Sequence, residues 1–339
     1  MEINLVSDTI TKPTYEMLQY MFNAEVGDDV YKQDPTVIEL ESTIADLFGM
    51  EAGLFFPSGT MANQAALKLH TQPGEQIIAD KYAHVYLYEG GGASFNSGVS
   101  FSLLDGDRGM ITAEQVAGAI NDPEFYHSPL TSLVCVENTT NKGGGACYEI
   151  EDLQKIKAVC DANNLKFHLD GARIWNALIA KKQNPKSFGQ IFDTISVCLS
   201  KGLGAPIGSV LLGDKATIHR ALRIRKILGG GMRQVGYLAA AGLYALDHNI
   251  SRLAEDHRRA KELASILSTR EWVAKVEPVE TNILIFTLKT NYKEKDLVEN
   301  LKQKNISISS MGQGKLRMVT HLDYREVMHT YVLETLSKM

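Results

Sequence analysis

Four cysteines (Cys135, Cys147, Cys160 and Cys198) with no C-x-x-C pair are too scattered for a disulfide framework or a zinc site, so buried free thiols and no metal are expected. No apolar stretch approaches the roughly 18 residues that suggest a membrane span. Lysine and arginine form no extended block and the net charge is −5, which argues against a nucleic-acid binder. The opening Met1-Glu2-Ile3-Asn4-Leu5 lacks a basic region leading into an apolar one, so no secretion leader is read and cytoplasmic residence is expected. Gly90-Gly91-Gly92 and Gly143-Gly144-Gly145 lack both G-x-x-x-x-G-K-[ST] and G-x-G-x-x-G spacing, which sets nucleotide phosphate loops aside.

What is present is a long alternation. Candidate strands at 52–56, 76–79, 100–104, 132–137, 166–170, 195–199 and 207–212 alternate with candidate helices at 61–70, 113–120, 150–162, 173–180 and 215–227. Such alternation builds an α/β layer around a mainly parallel sheet. A long helix is read over 235–267, and the strands and helices that follow, at 281–337, form a small α+β domain. At 339 residues the chain exceeds the ~250–300 that one core fills. The expected division is an N-terminal arm over 1–30, a large domain over 31–250 and a small C-terminal domain over 251–339.

Ligands of such sheets bind beyond the carboxyl ends of the strands, so the residues there carry the argument. The apolar run Ile195–Leu199 ends at Ser200-Lys201, with glycines at 202 and 204. A lysine at a buried strand end is a surface loop residue or a desolvated amine; burial would lower its pKa and free the neutral form that Schiff-base chemistry needs. The strand at 52–56 leads to Ser58-Gly59-Thr60 at a helix start, an ordinary cap or a phosphate site. The strand at 166–170 ends at Asp170, with Arg173 three residues on, either an ion pair or a pair of cofactor contacts. A lysine with an acidic partner for a pyridinium nitrogen is the constellation of pyridoxal phosphate enzymes. His84, after the strand at 76–79, is placed to stack on such a ring and move protons, or is a packed core histidine. His127 sits in a loop before the strand at 132, with a solvent-exposed role as the equal alternative.

Several segments then match one family in order. Leu5–Pro13, Val26–Tyr31, Pro57–Asn63, His168–Ile174, Cys198–Gly204, Gly229–Gln234 and Val319–Asp323 together resemble the low-specificity L-threonine aldolases. The resemblance implies the fold-type I architecture of pyridoxal phosphate enzymes and cleavage of L-threonine and L-allo-threonine to glycine and acetaldehyde. It also implies a part in threonine breakdown and glycine supply, and a homotetramer, a dimer of dimers with sites shared between subunits. By matching positions, Lys201 would be the Schiff-base lysine, Gly59 and Thr60 would hold the phosphate, His84 would stack on the ring, and Asp170 would meet its nitrogen. Arg173 would contact the phenolic oxygen or the substrate carboxylate, and Ser7 and Arg317 would complete the carboxylate site. Lys226 and Arg233 would reach the neighbouring subunit's site, Arg233 toward its phosphate.

The catalytic base is His84, His127 or an ordered water, with His84 or a water it positions preferred. One departure stands out: relatives often carry histidine where this chain has Thr140 in Glu137-Asn138-Thr139-Thr140-Asn141. Two other readings share the same residues. One is a β-eliminating lyase or an aldolase for a bulkier β-hydroxy amino acid, and the other a catalytically silent pyridoxal phosphate scaffold.

Overall fold

Short apolar runs bounded by turn residues give a central sheet of seven strands in the computed structural model, which describes residues 1–339. The chain opens with β1 (Ile3–Asn4) and α1 (Tyr15–Phe22), then runs through α2 (Pro35–Phe48), β2 (Ala52–Phe56), α3 (Gly59–His70), β3 (Gln76–Asp80), α4 (His84–Leu87) and β4 (Ser100–Leu104). It continues with α5 (Ala113–Ala119), β5 (Thr131–Glu137), α6 (Ile150–Ala162), β6 (Lys166–Gly171), α7 (Ile174–Lys181), α8 (Pro185–Ile191), β7 (Thr194–Cys198), β8 (Ser209–Gly213), α9 (Lys215–Ile227) and α10 (Gly236–Asn249). The last part is α11 (Leu253–Ser268), β9 (Val273–Val276), β10 (Ile283–Leu288), α12 (Glu294–Gln303), β11 (Ile306–Ser307), β12 (Ser309–Gly312), β13 (Lys315–Val319) and α13 (Glu326–Ser337).

The large sheet has the order β2-β8-β7-β6-β5-β3-β4, and only β8 runs against its neighbours. Its inner strands β3, β7 and β8 are buried along their whole length, covered on both faces, whereas the edge strand β4 is not. Alternation still decides which face each side chain meets. On β6, Phe167 and Leu169 enter the largest core, shared with α2 and α6, whereas His168 and Asp170 turn toward α3 and hydrogen-bond to its Asn63. Register then aligns three polar residues, because Asp170 pairs with Glu137 on β5 and with Ser196 on β7.

A second core of 17 residues lies in the small domain, around the antiparallel sheet β12-β13-β10-β9. Two expectations need correcting. The segment 1–30 is not a separate arm: β1 pairs in parallel with β11, Ile3 and Leu5 are buried in the small domain's core, and α1 packs on α10. This splits the N-terminus between both cores, through strands of only two residues each. The helix read over 235–267 is two, because the segment between Asn249 and Leu253 breaks it, with Arg252 turning to pair with Asp256 at 2.6 Å. No helix is long and apolar enough to cross a membrane.

Candidate active site

Three strand ends and a helix start converge on one cavity of about 370 Å³, lined by Ser58, Gly59, Thr60, Asn63, His84, Asp170, Cys198 and Lys201 among others. Ser58 caps α3 by accepting from the Met61 N–H at 3.1 Å, which leaves the free N–H groups of the first turn and the positive end of the helix facing the cavity. A Cβ added at Gly59 would meet no atom within 4 Å, so its lack of a side chain answers to nothing inside the chain and keeps the approach to those N–H groups open.

Asp170 forms the floor. Its Oδ1 accepts from the Ala172 N–H at 3.0 Å and its Oδ2 from Asn63 Nδ2 at 2.9 Å. Lys201 follows β7 in a turn closed by Gly204, whose φ of 78° is left-handed and whose added Cβ would lie 2.8 Å from Leu322. Its Nζ donates to Cys198 Sγ at 3.4 Å. Burial pulls the Lys201 pKa down, as argued above, but Cys198, Asp170 and Asp8 outweigh burial and the like charge of Arg173. The amine therefore sits above its ordinary value, which corrects the expectation of a neutral lysine from burial alone.

His84 opens α4. Its Nδ1 lies 3.0 Å from Glu89 Oε1 and its backbone N–H donates to Glu137 Oε2 at 3.2 Å. Burial would lower its pKa, yet the Glu89 hydrogen bond and the charges of Asp170, Glu89 and Glu137 hold it above the ordinary value. Glu137 is itself pushed up, by burial and by the neighbouring Asp170. Ligand atoms of His84, Glu89 and Asp170 lie within 4.8 Å of one another, but both carboxylates are already filled by amide and ring donors, which makes an acid–base cluster of them.

Arg173 differs from expectation in detail. Its Nε and Nη2 grip Asp8 at 2.8 and 2.7 Å, and Asn282 Nδ2 adds a third donor to the same carboxylate at 3.1 Å. Burial would raise the Asp8 pKa, but Arg173 and its hydrogen bonds dominate and lower it to about 2. Arg317, on β13, donates to Asn141 Oδ1 at 2.8 Å and to the Val6 carbonyl at 3.0 Å, while its buried Nε has no partner. Ser7 lies beside that carbonyl in sequence and accepts from Thr9 Oγ1 at 2.8 Å.

The structure does not bring every candidate together. His127 is exposed in the loop between α5 and β5, with Phe125 and Tyr126 rings at 5.1 and 4.0 Å. That loop feeds the amino end of β5, opposite the strand ends that form the cavity, so His127 is set aside as a base within its own chain. Lys226 and Arg233 do not line their own chain's cavity either, and Arg233 pairs with Asp28 at 2.8 Å and lies over Tyr31. Thr140 is buried and donates to the Arg108 carbonyl at 2.9 Å, tying down a loop. Sequence reasoning missed Asp8, Asn63, Glu89 and Glu137. Asn63 and Asp8 stood inside the matched segments, and nothing in one strand's pattern reveals a partner more than a hundred residues away.

Pyridoxal phosphate suits this donor set on three counts. The open N–H groups at Gly59 and Thr60 match a phosphate, the buried Asp170 carboxylate matches a protonated ring nitrogen, and Arg317, outside the cavity's lining, keeps an unpartnered Nε suited to an anion.

The comparisons agree. The β-eliminating lyase family model matches residues 4–291. The low specificity L-threonine aldolase of Escherichia coli K12 is 43 % identical over 322 residues, covering 95 % of this chain and 94 % of that protein. The Saccharomyces cerevisiae low specificity L-threonine aldolase is 39 % identical over 299 residues, covering 87 % of this chain and 76 % of that one. Among solved structures, a threonine aldolase from Leishmania major superposes with a TM-score of 0.84 at 21 % identity, covering 99 % of both chains, and shares the fold. The cavity, the order of its motifs and these relatives lead to one placement: the chain belongs to the β-eliminating lyase family, in the branch of the low-specificity L-threonine aldolases.

Proposed function

We propose that the protein is a pyridoxal phosphate-dependent, low-specificity L-threonine aldolase that cleaves L-threonine and L-allo-threonine to glycine and acetaldehyde. The observation that carries this reading is the meeting of Gly59–Thr60, Asp170 and Lys201, from three separate strand ends, around one cavity. When bound, pyridoxal phosphate supplies an aldehyde that bonds to amines and a protonated ring that accepts the electron pair of the breaking Cα–Cβ bond.

The chain's own groups supply the rest. Gly59 and Thr60 N–H groups, with the α3 dipole, would hold the phosphate, and Asp170 would keep the ring nitrogen protonated. Lys201 would hold the coenzyme covalently until the substrate amine displaces it. Arg317 through its free Nε, with Ser7 and the outer nitrogen of Arg173, would bind the substrate carboxylate and so fix which bond at Cα stands perpendicular to the ring. His84 takes the β-hydroxyl proton: with Glu89 holding Nδ1, the imidazole presents Nε2 as the acceptor. As that proton leaves, the hydroxyl becomes the aldehyde carbonyl, the Cα–Cβ bond breaks, and Cα takes up a proton to give glycine.

We infer a homotetramer in which Lys226 and Arg233 serve a neighbouring subunit's site, since neither lines its own cavity and α1, Tyr31 and Ile227 expose apolar surface. Four buried, unpaired cysteines favour a reducing compartment such as the cytoplasm, where the reaction would consume threonine and supply glycine.

The test is product analysis. With L-threonine the purified protein should release acetaldehyde and glycine in equal amounts; a keto acid with ammonia would assign β-elimination instead, and no turnover of any β-hydroxy amino acid would assign a silent scaffold. His84→Asn should lower kcat about 100-fold, the usual worth of a positioned base. The acidic limb of wild-type kcat/KM should lie above the ordinary histidine range, in the direction that Glu89 and Asp170 push His84. An unchanged kcat in His84→Asn would remove the histidine from this role.

A further inference from the structure

Behind the cavity one side chain uses its whole hydrogen-bonding capacity. Asn63 Nδ2 lies 2.9 Å from Asp170 Oδ2 and 2.9 Å from Glu89 Oε1, while its Oδ1 lies 2.7 Å from Ser196 Oγ and 3.3 Å from His168 Nε2. An amide nitrogen has two hydrogens and an amide oxygen two lone pairs, so none is left over. Gln64, the next residue of α3, clamps the other Glu89 oxygen at 2.6 Å.

Behind it lies a run of buried polar contacts. His70 Nε2 lies 2.9 Å from Thr194 Oγ1, which lies 2.9 Å from His168 Nδ1; that nitrogen is also 3.1 Å from the Thr194 carbonyl. Burial keeps both histidines neutral, with His70 lowered to about 3 and His168 to about 4. The Asn63 amide is set by its own partners: both carboxylates accept from Nδ2, and Oδ1 accepts from Ser196 Oγ. Turning the amide over would aim its oxygen at two carboxylates that can only accept from it, and lose both bonds.

We propose that Asn63 is a positioning residue of the reaction, whose amide holds the Asp170 and Glu89 carboxylates side by side so that one serves the coenzyme and the other His84. This rests on the reading of Asp170 given under the proposed function. Two carboxylates this close repel, and the donor they share offsets that repulsion and keeps both in place. Either displacement is harmful: an Asp170 turned aside no longer meets the ring nitrogen, and a Glu89 turned aside no longer fixes the imidazole. The groups that face His84 are Glu89 from its own segment, Glu137 from β5, Asp170 from β6 and the Tyr88 ring at 5.6 Å, so Asn63 touches two of its three carboxyl neighbours.

Asn63→Leu in the holoenzyme keeps the volume and removes the donors. Coenzyme should leave the variant at least tenfold faster on dilution, read by its visible absorbance, and the acidic limb of kcat/KM should move to lower pH. Wild-type Tm in the variant separates this from loss of fold. Should Asn63→Leu not fold, Asn63→Ser takes its place, because its short hydroxyl cannot span two carboxylates. Release within twofold of wild type would overturn the inference. Wild-type protein that retains no coenzyme would instead overturn the proposed function, which keeps the two failures distinct.

Discussion

Lys201→Ala should lose both the visible absorbance of bound coenzyme in its lysine-linked form and nearly all release of acetaldehyde from L-threonine. The loss in kcat should be on the order of 10⁴-fold, because one amine both carries the coenzyme and exchanges it for substrate. Lys201 is well placed for both tasks. Its backbone is pinned on either side, by Thr11 Oγ1 donating to the Lys201 carbonyl at 2.9 Å and by the turn at Gly204, while its Nζ meets only a thiol. Cys198 Sγ at 3.4 Å is a weak partner, so little is lost when the amine turns to a better one. Unchanged absorbance in the variant would remove Lys201 from the site.

The second large effect concerns stability. Asp8→Ala leaves the buried Arg173 guanidinium without its counter-ion, a change that costs about 3–5 kcal/mol in buried pairs. At about 0.7 kcal/mol per degree for 339 residues, Tm should fall by roughly 4–7 °C at pH 7. The pH dependence has a definite sign. Asp8 is lowered in the fold to about 2, so its contribution is complete above the ordinary carboxyl range and is lost as pH falls from about 4 toward 2. The Tm difference between Asp8→Ala and wild type should therefore narrow in acid. Calorimetry from pH 7 downward reads it, and a difference that stays constant or widens would contradict the ion-pair account. Freed from Asp8, Arg173 should also bind the substrate carboxylate less well and raise KM for threonine.

The strand ends were readable because each is local. Apolar runs ending at Lys201, Asp170 and Ser58 declare their position in an α/β sheet, and the rule that ligands sit at such ends needs no knowledge of pairing. The pairs that tune these groups were not readable. Asp8 meets Arg173 across 165 positions and Asn63 meets Asp170 across 107, so only the folded chain brings them together. The pKa of Lys201 was half legible: burial and Cys198, the largest charge opposing it, lie on its own strand, but the further charges of Asp170 and Asp8 arrive from other elements. In the fold itself, β1 has two residues and β11 two, too short for any periodic signal, and so the N-terminal segment passed for an arm. The break in the helix read over 235–267 carries no proline or glycine to announce it.

The most direct test of the whole account is to reduce the holoenzyme with borohydride, digest it and map the peptide that carries the coenzyme. The account predicts one modified peptide, with the coenzyme on Lys201. A coenzyme fixed to any other lysine, or to none, would contradict it.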